Sequence, residues 1–520
     1  MADAPKVSEV ADRSKSAVIV SVLLWALVVG SVGIRLINLA SPILERHGFR
    51  QTQTAMTIWM FATDGISMVD YQTPVFGPPW RIPYEFPIFQ ATAAVLLKLG
   101  FTENIDVAAR LTNILYFYLS AFVLFRLCRM IFQKKAIPWC IILLYLWMPY
   151  NILWSRTCMI DFTSVVFALG YMYFFLRWLD CRKRHLWILT VVFGSVGYLA
   201  KTTTMPVVVL PLVYYVIRHV VVDVRRASQP SPLRAVLSYV RREKGFIILL
   251  AVAVIVPLIA NGLWIAHTNH IKAQSEYTSF AVMGSEDENI GLHTKWAERL
   301  SYLGWSVFFD RIRQSMLPRF ALLLLPVGLW CIHKYSRREK DFVYATFATS
   351  LLTLFLLYTR YFPHDYYMMA ISPWICVAAG FGIYHLFFVT LRSRKWLMAV
   401  CLFLALLSYG DTWEYLRRPF TMSYQTHVIC ALGRGLQMVT PEDEYIIVSD
   451  WEWSPAILYY AKRKGFMMWR EEWQEDNDVI RDPRFTTYVS RKEHPKMREY
   501  WRRFRKVGQV GPFLVHKVGN

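Results

Sequence analysis

Charged side chains recur where the hydrophobic runs of this chain end. The apolar run Ala17 to Asn38 gives way to Glu45, Arg46, His47 and Arg50, and a proline-rich stretch beyond it carries Arg81 and Glu85. Arg156 and Asp161 lie in Ser155-Arg156-Thr157-Cys158-Met159-Ile160-Asp161, only a few residues between two apolar segments. Lys201 stands in an equally short turn, Leu199-Ala200-Lys201-Thr202-Thr203-Thr204, and Arg360, His364, Asp365, Tyr366 and Tyr367 close another run. Taken singly, Arg46, Arg81 or Asp365 reads as an interfacial anchor. Asp161 and Lys201 do not, because a charge at a helix centre costs roughly 2.5 to 3.5 kcal/mol and one held this close to hydrocarbon needs a partner.

Several cations with one or two carboxylates at a lipid boundary suit a particular chemistry. Transfer of a sugar from a lipid phosphate needs cations to neutralise the phosphate as it leaves, and the planar guanidinium of Arg matches phosphate oxygens. It also needs one carboxylate beside the acceptor hydroxyl, to take its proton while that oxygen attacks the anomeric carbon. A phosphate leaving group is already acidic, so no second carboxylic acid has to protonate it. One base plus several cations is the minimum set, and these helix ends provide both.

The elements that must position these residues are membrane helices. The chain has 520 residues, of which 55% are hydrophobic, and apolar runs long enough for a ~30 Å hydrocarbon core recur along it. The net charge of +21 sits mostly in short loops beside those runs, which is a topology signal and argues against a nucleic-acid partner. The eight Cys are scattered, with neither a disulfide framework nor a zinc motif. The first run lacks a small-residue cleavage site and reads as a retained helix.

Phe86 to Leu99 is apolar but too short to cross and contains Lys98, so it reads as an interfacial or re-entrant helix. The expected spans are then about 17–38, 107–132, 136–154, 162–179, 186–200, 203–221, 245–266, 317–333, 342–359, 366–390 and 396–410. With these eleven, the basic clusters at 129–135, 182–184, 225–244, 334–340 and 392–395 all fall on the side of the N-terminus, which the positive-inside rule makes the cytoplasm. Counting Phe86 to Leu99 as a span would put every cluster outside.

The expected architecture is therefore an all-α polytopic membrane protein of about eleven transmembrane helices: a cytoplasmic 1–16, a transmembrane domain 17–410, and a small extracytoplasmic α/β domain 411–520. Two large outer loops interrupt the transmembrane part, 39–106 and 267–316, the second with the acidic run Glu286, Asp287 and Glu288. In the first, Phe49 to Ala62 patterns as an amphipathic juxtamembrane helix able to hold polar side chains above a site. In the tail, Tyr445 to Ser449, Phe485 to Val489 and Phe513 to Val518 read as strands, and Ala456 to Lys464 and the basic Lys496 to Lys506 as helices.

The order of several motifs then resembles a known family. An acidic residue follows the first helix, "PYEFPIFQ" follows a long outer loop, "SRTCMID" joins the third and fourth spans, "LAKTTT" follows the fifth, and "HDYYMMAISP" opens the tenth. This resembles the GT-C superfamily of polytopic glycosyltransferases, in the branch of lipid A aminoarabinose transferases and protein O-mannosyltransferases (bacterial glycosyltransferase family 39-like). His47-Gly48-Phe49-Arg50-Gln51-Thr52-Gln53-Thr54-Ala55 looks like the first-loop signature of its bacterial members.

The resemblance implies an inverting enzyme of the bacterial inner membrane, with its site and C-terminal domain in the periplasm. Its donor would be a polyprenyl-phosphate sugar of the undecaprenyl type, and its acceptor an envelope glycolipid, a glycan or a protein. The family's favoured base, usually Asp, falls on Glu45, with Asp161 the other candidate. The acid of its "EKP"-like loop falls on Glu85, but Phe86 stands where Lys follows, leaving Arg81, Arg156, Lys201, Arg360 and Tyr367 for the donor phosphate. His47, Arg50, His364 and Tyr366 complete the expected lining. Glu45, Glu85 and His364 could also gather a divalent cation. A transporter or lipid flippase is the rival from another class, but it would place its charges at the midplane in repeated halves, and none are evident. A non-catalytic assembly subunit with the same fold is the third reading.

Overall fold

Apolar runs have no backbone partner in hydrocarbon except themselves, so they coil into helices that end at polar caps and prolines. The computed structural model describes residues 7–226, 232–283, 296–410, 412–417, 420–449, 451, 453–469, 477–492 and 499–519. The first half contains α1 (Val7–Leu36), α2 (Gly48–Thr63), α3 (Ile88–Lys98), α4 (Ile105–Ile131), α5 (Ala136–Trp147), α6 (Pro149–Trp154), α7 (Asp161–Cys181), α8 (Arg184–Ala200), α9 (Pro206–Arg226), α10 (Pro232–Arg242) and α11 (Lys244–Lys272). Helices Arg319–Cys331, Arg337–Leu356, Ser372–Tyr384 and Lys395–Gly410 follow. The acidic run Glu286, Asp287 and Glu288 lies outside the described residues.

A helix or broken helix stands at every segment expected to span. Among the described residues six are long and apolar enough to cross alone, including α4, α7 and α11. A bent pair, Tyr302–Met316 with Arg319–Lys334 at 114°, makes a seventh if it counts as one span, and Ala136–Trp147, Arg184–Ala200 and Lys395–Gly410 are shorter apolar helices. The protein is thus a multi-pass membrane protein. The span expected over 136–154 breaks at Met148, because Pro149 has no N–H to continue α5 and instead takes the first position of α6. α3 has 11 residues, about 16 Å at the helical rise, so it cannot cross. Helices Arg319–Cys331 and Ser372–Tyr384 cross so closely that a Cβ at Gly328 would lie 2.0 Å from the carbonyl oxygen of Ala378.

Two expectations need correction. α2 is no surface helix: Gln51, Thr52, Gln53, Thr54 and Thr57 are buried as fully as Ala55 and Ile58, because α3, α4 and the C-terminal domain cover its polar face as well. The basic tail segment is not a helix throughout. Glu499–Arg503 is a short 3-10 turn, and Phe504–Val510 is a strand whose partner, Phe513–Val518, follows a tight turn at Gly511, φ +56. Antiparallel pairing across that turn overrides the helical spacing of the basic residues.

The C-terminal sheet contains β1 (Tyr445–Ser449), β2 (Gly465–Met468), β3 (Phe485–Ser490), β4 (Phe504–Val510) and β5 (Phe513–Val518), in the order β2-β1-β3-β5-β4. β1 pairs parallel with β2 and β3, and β1 and β2 are buried along their whole length. The edge of β2 is closed by the proline-rich first loop, where Met467 N donates to Val75 O at 2.9 Å and Gly77 N to Gly465 O at 3.2 Å. Helix Ala456–Ala461, between β1 and β2, packs on α2.

That docking has a polar bolt. Asp106, at the start of α4, accepts 2.5 Å and 3.1 Å hydrogen bonds from the hydroxyls of Tyr459 and Tyr460, and the Tyr460 oxygen accepts from Ile43 N at 2.8 Å. The C-terminal domain, the first loop and the bundle are tied at one buried carboxylate. Tyr459→Phe is expected to lower stability by about 1.5 to 3 kcal/mol, the range for a hydrogen bond to a charged group. Limited proteolysis and thermal unfolding of the purified protein check this, with the C-terminal domain becoming protease-sensitive first.

Candidate functional site

Four helix ends and the first loop enclose a cavity of about 590 Å³. Backbone pairing sets its walls: Phe86 N donates to Leu199 O at 3.1 Å, bringing the Glu85 segment against the end of α8, and the Tyr71 hydroxyl donates to Glu85 O at 2.8 Å. Arg50 and Gln53 enter from α2, Tyr84 and Glu85 from the loop, Lys201 from the turn after α8, and Lys272 from the end of α11. Arg360, His364, Tyr366 and Tyr367 close it, with Trp453 contributed by the C-terminal domain. Among the described residues the charged lining is four cations, Arg50, Lys201, Lys272 and Arg360, and one carboxylate, Glu85. The described wall thus carries an excess of positive charge.

Lys201, Arg50 and Glu85 each have a partner that accounts for their burial. Lys201 Nζ donates to Asp161 Oδ1 at 2.6 Å, with both side chains about 95% buried, and sits 3.8 Å from the ring centroid of Tyr367. Arg50 pairs with Glu85 and donates to Gln53 Oε1 at 2.7 Å. Burial pushes the Glu85 carboxyl up, but the nearby Arg50 and Lys201 charges outweigh it and hold the group below its ordinary value, so it is a carboxylate at neutral pH. Lys272 is buried, and among the described residues no carboxylate lies within salt-bridge distance of it. Glu85, on the same wall, is the opposite charge that acts on it without a direct contact.

Behind the wall, His47 Nε2 and Arg46 Nη1 bond Asp365 at 2.8 and 2.9 Å, and the His47 ring packs on Tyr366 at 4.9 Å. Burial pushes Asp365 up, but His47, Arg46 and Arg311 bring it below its ordinary value. The resulting clasp fixes the segment that carries His364, Tyr366 and Tyr367.

Of the expected site residues, Arg50, Glu85, Lys201, Arg360, His364, Tyr366 and Tyr367 line the cavity, with Asp161 and His47 one layer behind. Three others are elsewhere. Glu45, on which the favoured base falls, does not line the cavity: its Oε1 accepts from Arg110 Nη2 at 2.5 Å, with the two side chains 6% and 0% exposed. Arg110 also donates to the carbonyls of Leu39, Ser41 and Pro42, so this pair fixes the chain leaving α1. Arg156 is buried, bonded to the carbonyl of Ile37 and 4.4 Å over the Phe420 ring. Arg81 pairs with Asp70 at 2.8 Å on a separate face. Nor do Glu45, Glu85 and His364 form a cation site: among the described residues no group of three His, Cys, Asp or Glu side chains could hold a metal.

The sequence reading missed Lys272 and Trp453. Lys272 ends an apolar helix just as Lys201 does, and taking the span past Ala266 through His267 to Lys272 would have found it. Trp453 had no such signal, since only the docking of the C-terminal domain brings it to Tyr84, with ring centroids 6.5 Å apart and planes within 24°.

The comparisons agree with this architecture. Residues 84–238 match the family model described as dolichyl-phosphate-mannose-protein mannosyltransferase. The structure resembles that of ArnT from Cupriavidus metallidurans bound to undecaprenyl phosphate, at TM-score 0.59 and 11% identity, over 95% of this chain and 97% of that one. It also resembles the archaeal oligosaccharyltransferase AglB from Archaeoglobus fulgidus in complex with an inhibitory peptide and a dolichol-phosphate, at TM-score 0.52 and 11% identity, over 90% of this chain and 68% of that one. No curated protein sequence matches. The chain therefore has the GT-C glycosyltransferase fold, a membrane bundle with a small C-terminal sheet domain, as its motifs led one to expect.

His364 supplies a pH test. Burial first, and then the neighbouring His47, Lys201, Arg50 and Arg360 charges, lower its pKa from 6.5 to about 4, so the folded protein holds it neutral. A depressed pKa means the unfolded chain takes the proton first. The stability it contributes is complete above pH 6.5 and is lost as pH falls towards about 4. His364→Gln is expected to flatten thermal stability over that window, as measured by unfolding scans from pH 7 to pH 4.

Proposed function

We propose that this protein is an inverting glycosyltransferase that moves a sugar from a polyprenyl-phosphate donor of the undecaprenyl type to a hydroxyl of an extracytoplasmic acceptor, an envelope glycolipid or glycan. The observation that carries this reading is the cation excess among the described residues of the cavity wall, beside the ionised carboxylate of Glu85, within a GT-C fold. The matched ArnT structure holds undecaprenyl phosphate, and AglB holds a dolichol-phosphate, which supports a lipid-phosphate donor. The site and C-terminal domain would face the periplasm, with the N-terminus in the cytoplasm, as the placement of the basic loops favours.

In this reading Lys201, Lys272 and Arg360 hold the donor phosphate. Tyr367 steadies the Lys201 ammonium through its ring, and the polyprenyl tail leaves between the helices. Glu85 is the base. Being ionised and on the cavity wall, it accepts the acceptor proton as the hydroxyl oxygen bonds to the anomeric carbon and the bond from that carbon to the phosphate oxygen breaks. The sugar inverts in one displacement, and the polyprenyl phosphate departs with its extra negative charge opposite the lysines. Arg50 holds Glu85 in place, Asp161 positions Lys201 at the lipid boundary, and the ring pair Tyr84 and Trp453 offers flat faces to a sugar. Glu45, which the family pattern favours as base, serves here as the partner of Arg110.

Glu85→Gln is expected to lower kcat by about 10²- to 10⁴-fold, the usual worth of a general base, with folding unchanged. Glu45→Gln is expected to reduce yield and thermal stability instead, because it leaves Arg110 buried and unpaired, at a cost of about 3 to 5 kcal/mol. Lys272→Met should reduce kcat/KM by roughly 10- to 100-fold through the loss of one charge-assisted hydrogen bond to phosphate. A transfer assay with a purified polyprenyl-phosphate sugar reads all three. Mass spectrometry of envelope glycolipids with and without the gene identifies the product, and full activity in Glu85→Gln would overturn the assignment of the base.

A further inference from the structure

The helix α10 (Pro232–Arg242) joins the ends of α9 and α11, which both qualify as membrane spans, and it divides into three faces. Ala235 and Tyr239, four residues apart, are 6% and 2% exposed and pack it on the bundle. Leu233, Val236, Leu237 and Val240 follow the i, i+3, i+4, i+7 spacing of one stripe, yet they are 70%, 45%, 48% and 45% exposed. Arg234, Ser238, Arg241 and Arg242 take the remaining flank and, with Leu237, line an open shallow hollow. A helix in water would not leave an unbroken apolar stripe uncovered beside its packing face. One lying along a bilayer surface would, with the stripe in the acyl boundary and the arginines at headgroup level.

We propose that α10 is an interfacial helix whose arginine flank binds the headgroup of an anionic glycerophospholipid of the cytoplasmic leaflet. The charge arrangement selects the occupant. Arg241 and Arg242 are adjacent and Arg234 lies two turns before Arg241 on the same flank, so three guanidinium groups face one headgroup layer. Among the described residues lining the hollow there is no carboxylate, and the next residue, Glu243, accepts from Arg242 Nε at 3.2 Å, leaving the two terminal nitrogens of Arg242 for a headgroup. Each can give a forked pair of hydrogen bonds to a phosphodiester, while the apolar stripe seats the acyl chains. A soluble phosphate would use the arginines but leave Leu233, Val236, Leu237 and Val240 in water. A zwitterionic phospholipid would bring its own cation against the flank. The site is on the opposite side of the membrane from the proposed catalytic cavity, given the basic loops, and does not depend on that cavity's function.

The test is native mass spectrometry of the purified full-length protein, released from micelles containing equal amounts of phosphatidylglycerol and phosphatidylcholine. The wild type is expected to retain phosphatidylglycerol preferentially. The triple variant Arg234→Gln, Arg241→Gln, Arg242→Gln is expected to lose that preference, on the order of a hundredfold in affinity at the usual worth of a cation near an anionic surface. The corresponding triple Lys variant keeps the charges and should keep most of the preference, which separates charge loss from damage to the fold. Equal retention of the two lipids by the wild type, or undiminished preference in a folded Gln variant, would overturn the proposal.

Discussion

Lys201 and Asp161 are joined at 2.6 Å with almost no exposure to solvent, and the cavity depends on that contact. A lysine at the end of an apolar helix would withdraw to water or shed its proton, and a buried carboxylate left alone would take one up. Paired, each is the other's partner, and Lys201 can point into a hollow between helices with its side-chain nitrogen against the Tyr367 ring. The same solution recurs around the site. Arg50 secures Glu85, His47 and Arg46 secure Asp365, and Arg110 secures Glu45. Each clasp joins segments far apart in the chain, so the electrostatics of the site and the docking of the helices are one problem.

Against those direct pairs, Lys272 stands out, for among the described residues no carboxylate lies within salt-bridge distance of it. A buried lysine with no carboxylate in direct contact is held in a lined cavity at a cost, and a bound anion would offset it. The C-terminal domain completes the enclosure from outside. Its β2 edge is sealed by the first loop, its tyrosines hold Asp106, and its Trp453 reaches the cavity beside Tyr84. Membrane bundle and sheet domain thus form a single site.

Much of this was legible in the chain, for reasons that can be named. Helices follow from apolar runs because hydrocarbon permits little else, and Asp161 and Lys201 were readable because charges in two-sided apolar surroundings are expensive. β1 and β5 were readable in full, Tyr445–Ser449 and Phe513–Val518, from β-rich runs bounded by turns. The rest depended on long-range packing. The burial of the polar face of α2 could not be read locally, because nothing in the segment reveals that the C-terminal domain covers it. Glu45 and Glu85 are both acids near helix ends, and only the position of Arg110 on α4 shows that Glu45 is committed to a structural pair. β4 followed a helical charge spacing until its neighbour supplied a ladder.

The most direct measurement is a structure of the purified protein with undecaprenyl phosphate bound. The account predicts the phosphate in the cavity, within hydrogen-bonding distance of the ammonium groups of Lys201 and Lys272, with Glu85 facing the space beyond it. Density for the phosphate at the Glu45–Arg110 pair, or anywhere else away from the two lysines, would contradict it.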